Sequence, residues 1–151
     1  MFTIALIEPE IPPNTGNIAR LCAATGTRLD LVGKLGFEIS DKHLKRAGLD
    51  YWENVDIHRE ADLDRYLEQL AGKRFFLFST KGEQNHFEVE FQEGDVLVFG
   101  SETKGLPQSI MERWPDRLTR IPIDFSHVRS LNLSTTAGIV LFEAIRQTQY
   151  E

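Results

Sequence analysis

The chain has 151 residues, a length that suits one domain around a single core. Its composition is that of a globular protein, 41% apolar, 26% charged and 10% aromatic, and no apolar run approaches the roughly 18 residues of a membrane span. The net charge of −6 opposes a generally basic, nucleic-acid-coating surface. The deficit is local, however: residues 1–50 carry six basic and six acidic groups, residues 51–100 five and eleven, and residues 101–151 six and six. An anionic partner drawn to the outer thirds stays open, because attraction follows the local field. The opening MFTIALIEPE lacks a basic n-region and a small-residue cleavage site, so it reads as a first strand and not as a targeting segment. Cys22 is alone and cannot form an internal disulfide, and a cytoplasmic location is expected.

In chain order, Phe2–Glu8 reads as a buried strand. Asn14 or Thr15 is expected to cap a helix whose apolar positions are Ile18, Leu21, Cys22 and Thr25, ended by Gly26. Arg28–Val32 is the second strand, Lys42–Ala47 a short basic helix, Val55–His58 a strand and Asp62–Leu70 a helix. Arg74–Thr80 and Asp95–Phe99 are apolar enough to be central strands. Pro107–Arg113 is a short helix and Leu118–Ile123 the last strand. Asn132–Thr148 is the last helix. Ile139 and Phe142 lie outside its main apolar stripe, so this helix should be buried in the core or against a second subunit. Strand and helix alternate, which predicts an α/β fold with an open, mostly parallel sheet.

Several signatures fail. No G-x-G-x-x-G follows a strand. Gly100 and Gly105 have P-loop spacing, but Leu106 stands where Lys belongs. His43, His58, His86 and His127 are scattered, so no metal site is expected. Ser101 follows Gly100 directly and makes no hydrolase elbow. Cys22 sits on an apolar stripe and reads as a small core residue.

Three loop segments remain, each beside a strand end or helix start, where ligands collect in open α/β sheets. In the first, Pro12–Arg20, Gly16 permits close backbone approach and Arg20 points away from the apolar stripe; a solvated arginine is the plain alternative. In the second, Phe99–Pro107, two glycines five apart frame a loop able to bend round a flat ligand, or simply to turn. In the third, Ile121-Pro122-Ile123 precedes Arg129-Ser130-Leu131-Asn132-Leu133-Ser134, and helix capping alone would explain Ser130 or Asn132.

Taken together, N-T-G-N-I-A-R, F-G-S-E-T-K-G-L-P and I-P-I…R-S-L-N-L-S resemble the three motifs of the SPOUT methyltransferases, most nearly the minimal TrmL/YibK-like branch. The resemblance also takes in Arg46–Trp52 and Leu141–Gln147, and so covers essentially the whole chain. It implies one domain over residues 1–151 without an RNA-binding extension, and a C-terminal deep trefoil knot, against base rates that strongly oppose knots. It implies a homodimer with the active site completed across the interface, and S-adenosyl-L-methionine (SAM) as cofactor, leaving as S-adenosyl-L-homocysteine. On matching positions the cofactor pocket would use Phe78, Thr80, Gly100, Glu102, Ile121, Ser130, Leu131 and Asn132. The implied reaction is methylation of the ribose 2′-OH of the wobble nucleotide of tRNA, cytidine or modified uridine, commonly in leucine acceptors. Two departures stand out: Phe142 where relatives often carry Tyr, and Ser101 where they often carry Pro.

The family assigns the arginine matching Arg20 to activation of the hydroxyl. A guanidinium keeps its proton, so the role expected for Arg20 is to hold the adjacent phosphate and stabilise developing alkoxide, with Asn14 as a second orienting group. Lys45, Arg46, Lys104 and Arg129 are candidates for gripping RNA, with a mixed solvated surface as the alternative; no membrane or DNA partner is expected. Two rivals stay open: an RNA binder that has lost catalysis, and a nucleotide-binding module unrelated to RNA.

Overall fold

The computed structural model describes residues 1–39, 42 and 52–150. The expected basic helix Lys42–Ala47, apart from Lys42 itself, and with it Lys45 and Arg46, lies outside the described residues. The strands are β1 (Thr3–Ile7), β2 (Arg28–Val32), β3 (Ile57–Glu60), β4 (Phe75–Phe78), β5 (Gln84–Asn85), β6 (Val96–Phe99) and β7 (Leu118–Arg120). The helices are α1 (Pro12–Thr25), α2 (Leu63–Leu70), α3 (Gln108–Arg113) and α4 (Leu133–Gln149), with short 3₁₀ turns between some elements. No described helix is long and apolar enough to cross a membrane.

The strands form one parallel sheet in the order β3-β2-β1-β6-β4-β7-β5. Both faces are covered, which is why the central strands read as continuous apolar runs. Ile4 and Leu6 of β1 join one core with Ile18 and Cys22 of α1 and Val140 and Leu141 of α4. Ala5 and Ile7, pointing the other way, join a second core with Leu67 and Leu70 of α2 and Ile110 and Met111 of α3. The carboxyl ends of β1, β4, β6 and β7 therefore open along one edge, between two firmly packed layers.

Several expected boundaries move. The strand placed at Val55–His58 runs instead over Ile57–Glu60, because its partner β2 pairs Leu29 with Ile57 and Val32 with Glu60. The last strand stops at Arg120 and not at Ile123: Phe78 pairs with Thr119 and Asn85 with Arg120, and no neighbouring strand extends further. The two-residue β5 is polar and too short to show a period. The cap of α1 is corrected outright. Neither Asn14 nor Thr15 caps it; the N-cap is Ile11, with no side-chain cap bond, and Pro12 and Pro13 fill the first turn, where a missing N–H leaves nothing unsatisfied. Gly26 does end the helix in the left-handed region, at φ 65°, its N–H donating to Cys22 O.

Asp30 and Asp95 are buried carboxylates among the described residues, and the first ties β2 to a helix. Asp30 of β2 is 2% exposed. Its Oδ1 accepts from Arg28 Nε at 2.7 Å, and its Oδ2 accepts from the Tyr66 hydroxyl of α2 at 2.5 Å. Burial, then the Asp30 charge, pushes the Tyr66 phenol far above its ordinary range, so the donor proton persists. Tyr66→Phe leaves one carboxylate oxygen without its buried donor. The expected cost is about 1.5–3 kcal/mol, read as a lower urea midpoint at unchanged slope; an unshifted midpoint would show that water replaces the hydroxyl.

Candidate cofactor and active site

The carboxyl edge holds a cavity of about 470 Å³. That lies within the roughly 300–1,000 Å³ of small-molecule and cofactor sites. Its walls come from five parts of the chain: the start of α1, the segment after β4, the loop after β6, Met111 of α3, and the long segment from β7 to α4. Phe78, Thr80, Gly100 and Glu102 all line it, as do Ile121, Ser130, Leu131 and Asn132, so the eight residues expected to hold a cofactor meet at one place. Asn14, Lys104 and Arg129 border the same cavity.

Each wall is positioned by a local device. Phe78 ends β4 and stacks on Phe99 at 5.1 Å and 18°. Gly82 lets the segment after β4 press on β7: a Cβ there would stand 2.6 Å from Thr119 C. The loop after β6 closes on itself, Gly105 N donating to Ser101 O at 2.9 Å and Ser101 N to Gly105 O at 3.3 Å. A Cβ on Gly100 would lie 2.1 Å from Gly105 C, so the first glycine is required for closure, and Gly105 takes φ +68°. A proline at 101 would lack the N–H that Ser101 uses in this bridge.

A chain of polar side chains ties three of the walls together. Glu102 Oε1 accepts from Glu10 N at 2.8 Å, and Oε2 from Ile11 N at 2.8 Å and Asn14 Nδ2 at 3.2 Å. Asn14 Oδ1 in turn accepts from Asn132 Nδ2 at 3.0 Å. Asn132 Oδ1 caps α4, accepting from Ser134 N at 2.9 Å and Thr135 N at 3.3 Å. Capping, one of the two readings open for Asn132, is thus real, and the same side chain also reaches the cavity wall. A second clamp runs the opposite way: Glu10 Oε1 accepts from Thr103 N at 3.2 Å and Thr103 Oγ1 at 2.6 Å. The Thr103 hydroxyl foremost, then Ser101, holds the Glu10 carboxyl below its ordinary range.

The expected pair of Asn14 and Arg20 is not brought together within one chain. Arg20 is exposed on α1 and does not border the cavity. Six residues separate it from Asn14, about 9 Å along the helix axis and roughly 120° round it. Phe142 likewise lies away from the cavity, 54% exposed on α4. The Glu10–Thr103 clamp went unseen in the sequence, where Glu10 belongs to no motif; its one signal is its place between β1 and the two prolines. Wall residues such as Met111 and Thr136 were missed as well, since nothing separates them from core or helix surface by pattern.

The profile of the SpoU rRNA Methylase family matches residues 1–142. A tRNA (cytidine(34)-2'-O)-methyltransferase of Methylovorus glucosotrophus is 52% identical over 151 residues, covering 99% of this chain and 97% of its own. A solved structure described as giving structural insights into the 2-OH methylation of C/U34 on tRNA superposes with a TM-score of 0.91 at 45% identity, covering 97% of this chain and 95% of that one. An AdoMet-bound rRNA methyltransferase from Sinorhizobium meliloti superposes at TM-score 0.84 and 29% identity, over 96% of this chain and 56% of its own. The seven-stranded parallel sheet, the cavity at its carboxyl edge and a match from the first residue to the middle of α4 place the chain in the SpoU methylase family.

Proposed function

We propose that this chain transfers the methyl group of SAM to the ribose 2′-OH of the wobble nucleotide of tRNA, cytidine or a modified uridine, and releases S-adenosyl-L-homocysteine. Leucine acceptors are the proposed substrates and the cytoplasm the proposed site of action. The observation that carries this reading is the convergence of three distant loops on one cavity, in a chain about half identical to a wobble-cytidine methyltransferase. The donor set suits such a cofactor. Leu106, Ile121, Leu131 and Leu133 give apolar walls for a purine, while the loops after β6 and β7 bring backbone groups, and the segment after β4 the Thr80 hydroxyl, to the rim. When bound, the cofactor supplies a methyl group already activated by a positive sulfur.

The chain's own work is alignment and charge. The Glu102–Asn14–Asn132 chain holds the two loops and the start of α1 at fixed separation, which favours in-line approach of a ribose oxygen. Arg20 holds the phosphate beside the target ribose and stabilises negative charge growing on the 2′-oxygen, while the proton leaves to a phosphate oxygen or water. Since Arg20 does not border the cavity of its own chain, it acts at the cavity of a second copy. The exposed face of α4 supports such a homodimer: Thr135, Ile139, Phe142, Arg146 and Gln149 recur at steps of four and three, with Phe142 54% and Ile139 36% exposed. Lys104 and Arg129 at the rim, and Lys45 and Arg46, complete the proposed grip on RNA.

Mass spectrometry of wobble-nucleoside ribose methylation, using purified protein, SAM and unmodified tRNA, tests the reading. A 2′-O-methyl nucleoside at position 34 is expected. Binding of RNA without SAM affinity would favour a degenerate binder, and SAM or nucleotide binding without RNA a different module. Arg20→Lys keeps charge but loses the planar fork; kcat/KM should drop at least about tenfold, and by roughly 10²–10³ in Arg20→Ala, with SAM affinity intact. Near-full activity in the lysine variant would rule out a bidentate role. Glu102→Gln replaces an acceptor of three N–H groups by an amide that accepts through one oxygen only. Calorimetry should record SAM binding about tenfold weaker or worse, and an unchanged affinity would break the link between this carboxylate and the cavity.

A further inference from the structure

A second cavity of about 560 Å³ adjoins the first, with the Ser101 to Leu106 segment forming a wall of both. Lys34, Lys81 and Lys104 line it. They follow β2, β4 and β6, so three strands of one edge each deliver an exposed lysine to the same hollow. With β1 between β2 and β6, the span from β2 to β4 is about 14 Å. Among the described residues, none of the three ammonium groups stands within ion-pair distance of a carboxylate. Two carboxylates share the hollow: Glu8 Oε2 accepts from Lys34 N at 3.2 Å, and Glu10 Oε1 accepts from Thr103 while also feeling the Lys104 charge. They hold the loops that present the lysines, and they leave a net charge of one positive unit in the hollow.

We infer that this second cavity is a phosphate subsite for single-stranded RNA, taking a phosphodiester that flanks the nucleotide being methylated. The inference rests on the RNA 2′-OH as acceptor. A ribose presented to the first cavity carries its neighbouring phosphates past the rim, and the shared Ser101–Leu106 wall makes the lysine hollow the adjoining ground. Lysine ammoniums bind such groups as point charges and fix register without reading sequence. In a chain with a net charge of −6, three lysines converging on one hollow against two carboxylates leave a local positive field where the strand must pass.

Lys34 lines the second cavity only, which makes it the discriminating position. Binding of unmodified tRNA across a salt series, alongside SAM calorimetry and thermal unfolding, is measured for wild type, Lys34→Gln, Lys34→Glu and Lys34→Arg. Lys34→Gln should weaken tRNA binding by roughly two- to fivefold and lower the slope of log K against log salt by about 0.7. Lys34→Glu should weaken it further, Lys34→Arg should restore it, and SAM affinity and the unfolding midpoint should hold throughout. Unchanged tRNA affinity and slope in both Gln and Glu variants, with wild type binding normally, overturns the subsite alone. A parallel loss of SAM affinity overturns it too, by giving the hollow to the cofactor. Failure of wild type to bind tRNA overturns the RNA reading and the subsite with it.

Discussion

The Glu102 carboxylate is the constraint from which the site is built. It lies in the loop after β6 and accepts the backbone N–H groups of Glu10 and Ile11 and the amide of Asn14, ninety residues earlier in the chain. A helix entered through two prolines has few donors to offer and no side-chain cap. The approach to α1 is therefore anchored by a carboxylate from another strand, not by its own sequence. Charge-assisted acceptance from three N–H groups is worth more than a neutral cap, and it couples distant segments. The loops on either side of the cavity cannot separate without breaking it.

Topology is what allows that coupling. β6 is inserted between β1 and β4, so segments distant in sequence leave the sheet side by side at its carboxyl edge. Tight closure of the Ser101–Gly105 loop, which only glycine at 100 permits, then makes a thin partition with a cavity on each side. One wall serves a cofactor-sized hollow and a lysine-lined one, a placement that suits a reaction joining a small donor to a long anionic acceptor.

Strands and helices that are strongly apolar or end in glycine were legible, because burial on both sheet faces and a left-handed C-cap leave direct traces in residue type. Gly26 and the core of α4 belong to this class, whereas the eight cavity residues were expected from resemblance alone. The rest depends on contacts between segments. Asn14 has the right chemistry for a cap and sits three residues into the helix instead, where its amide links Glu102 to Asn132. No local rule separates those outcomes. The end of β7 at Arg120 is set by where its neighbours stop. Arg20 looked like a partner of Asn14 because both lie in one motif, but helix geometry turns it away.

The acidic balance of the chain, which first argued against an RNA substrate, is a sum over all residues and does not fix the local charge at either end of the strands. Glu93 and Asp95 precede β6 at its amino end, where Glu93 meets the N-terminal ammonium and Asp95 pairs with Arg74 at 2.8 Å. Lys34, Lys81 and Lys104 follow strands at the carboxyl end, where Arg129 also borders the cofactor-sized cavity. The carboxyl end is mixed in sign, since Glu8, Glu10 and Glu102 stand there too, but Glu93 and Asp95 are removed from its lysines by the length of a strand, about 13 Å for four residues, which exceeds the screening length of roughly 8 Å at physiological salt. Those two acids therefore add little to the field at the carboxyl end, where the second cavity keeps one net positive unit. Net charge governs how the chain behaves in bulk, but the edge at which the strands end decides what it can hold.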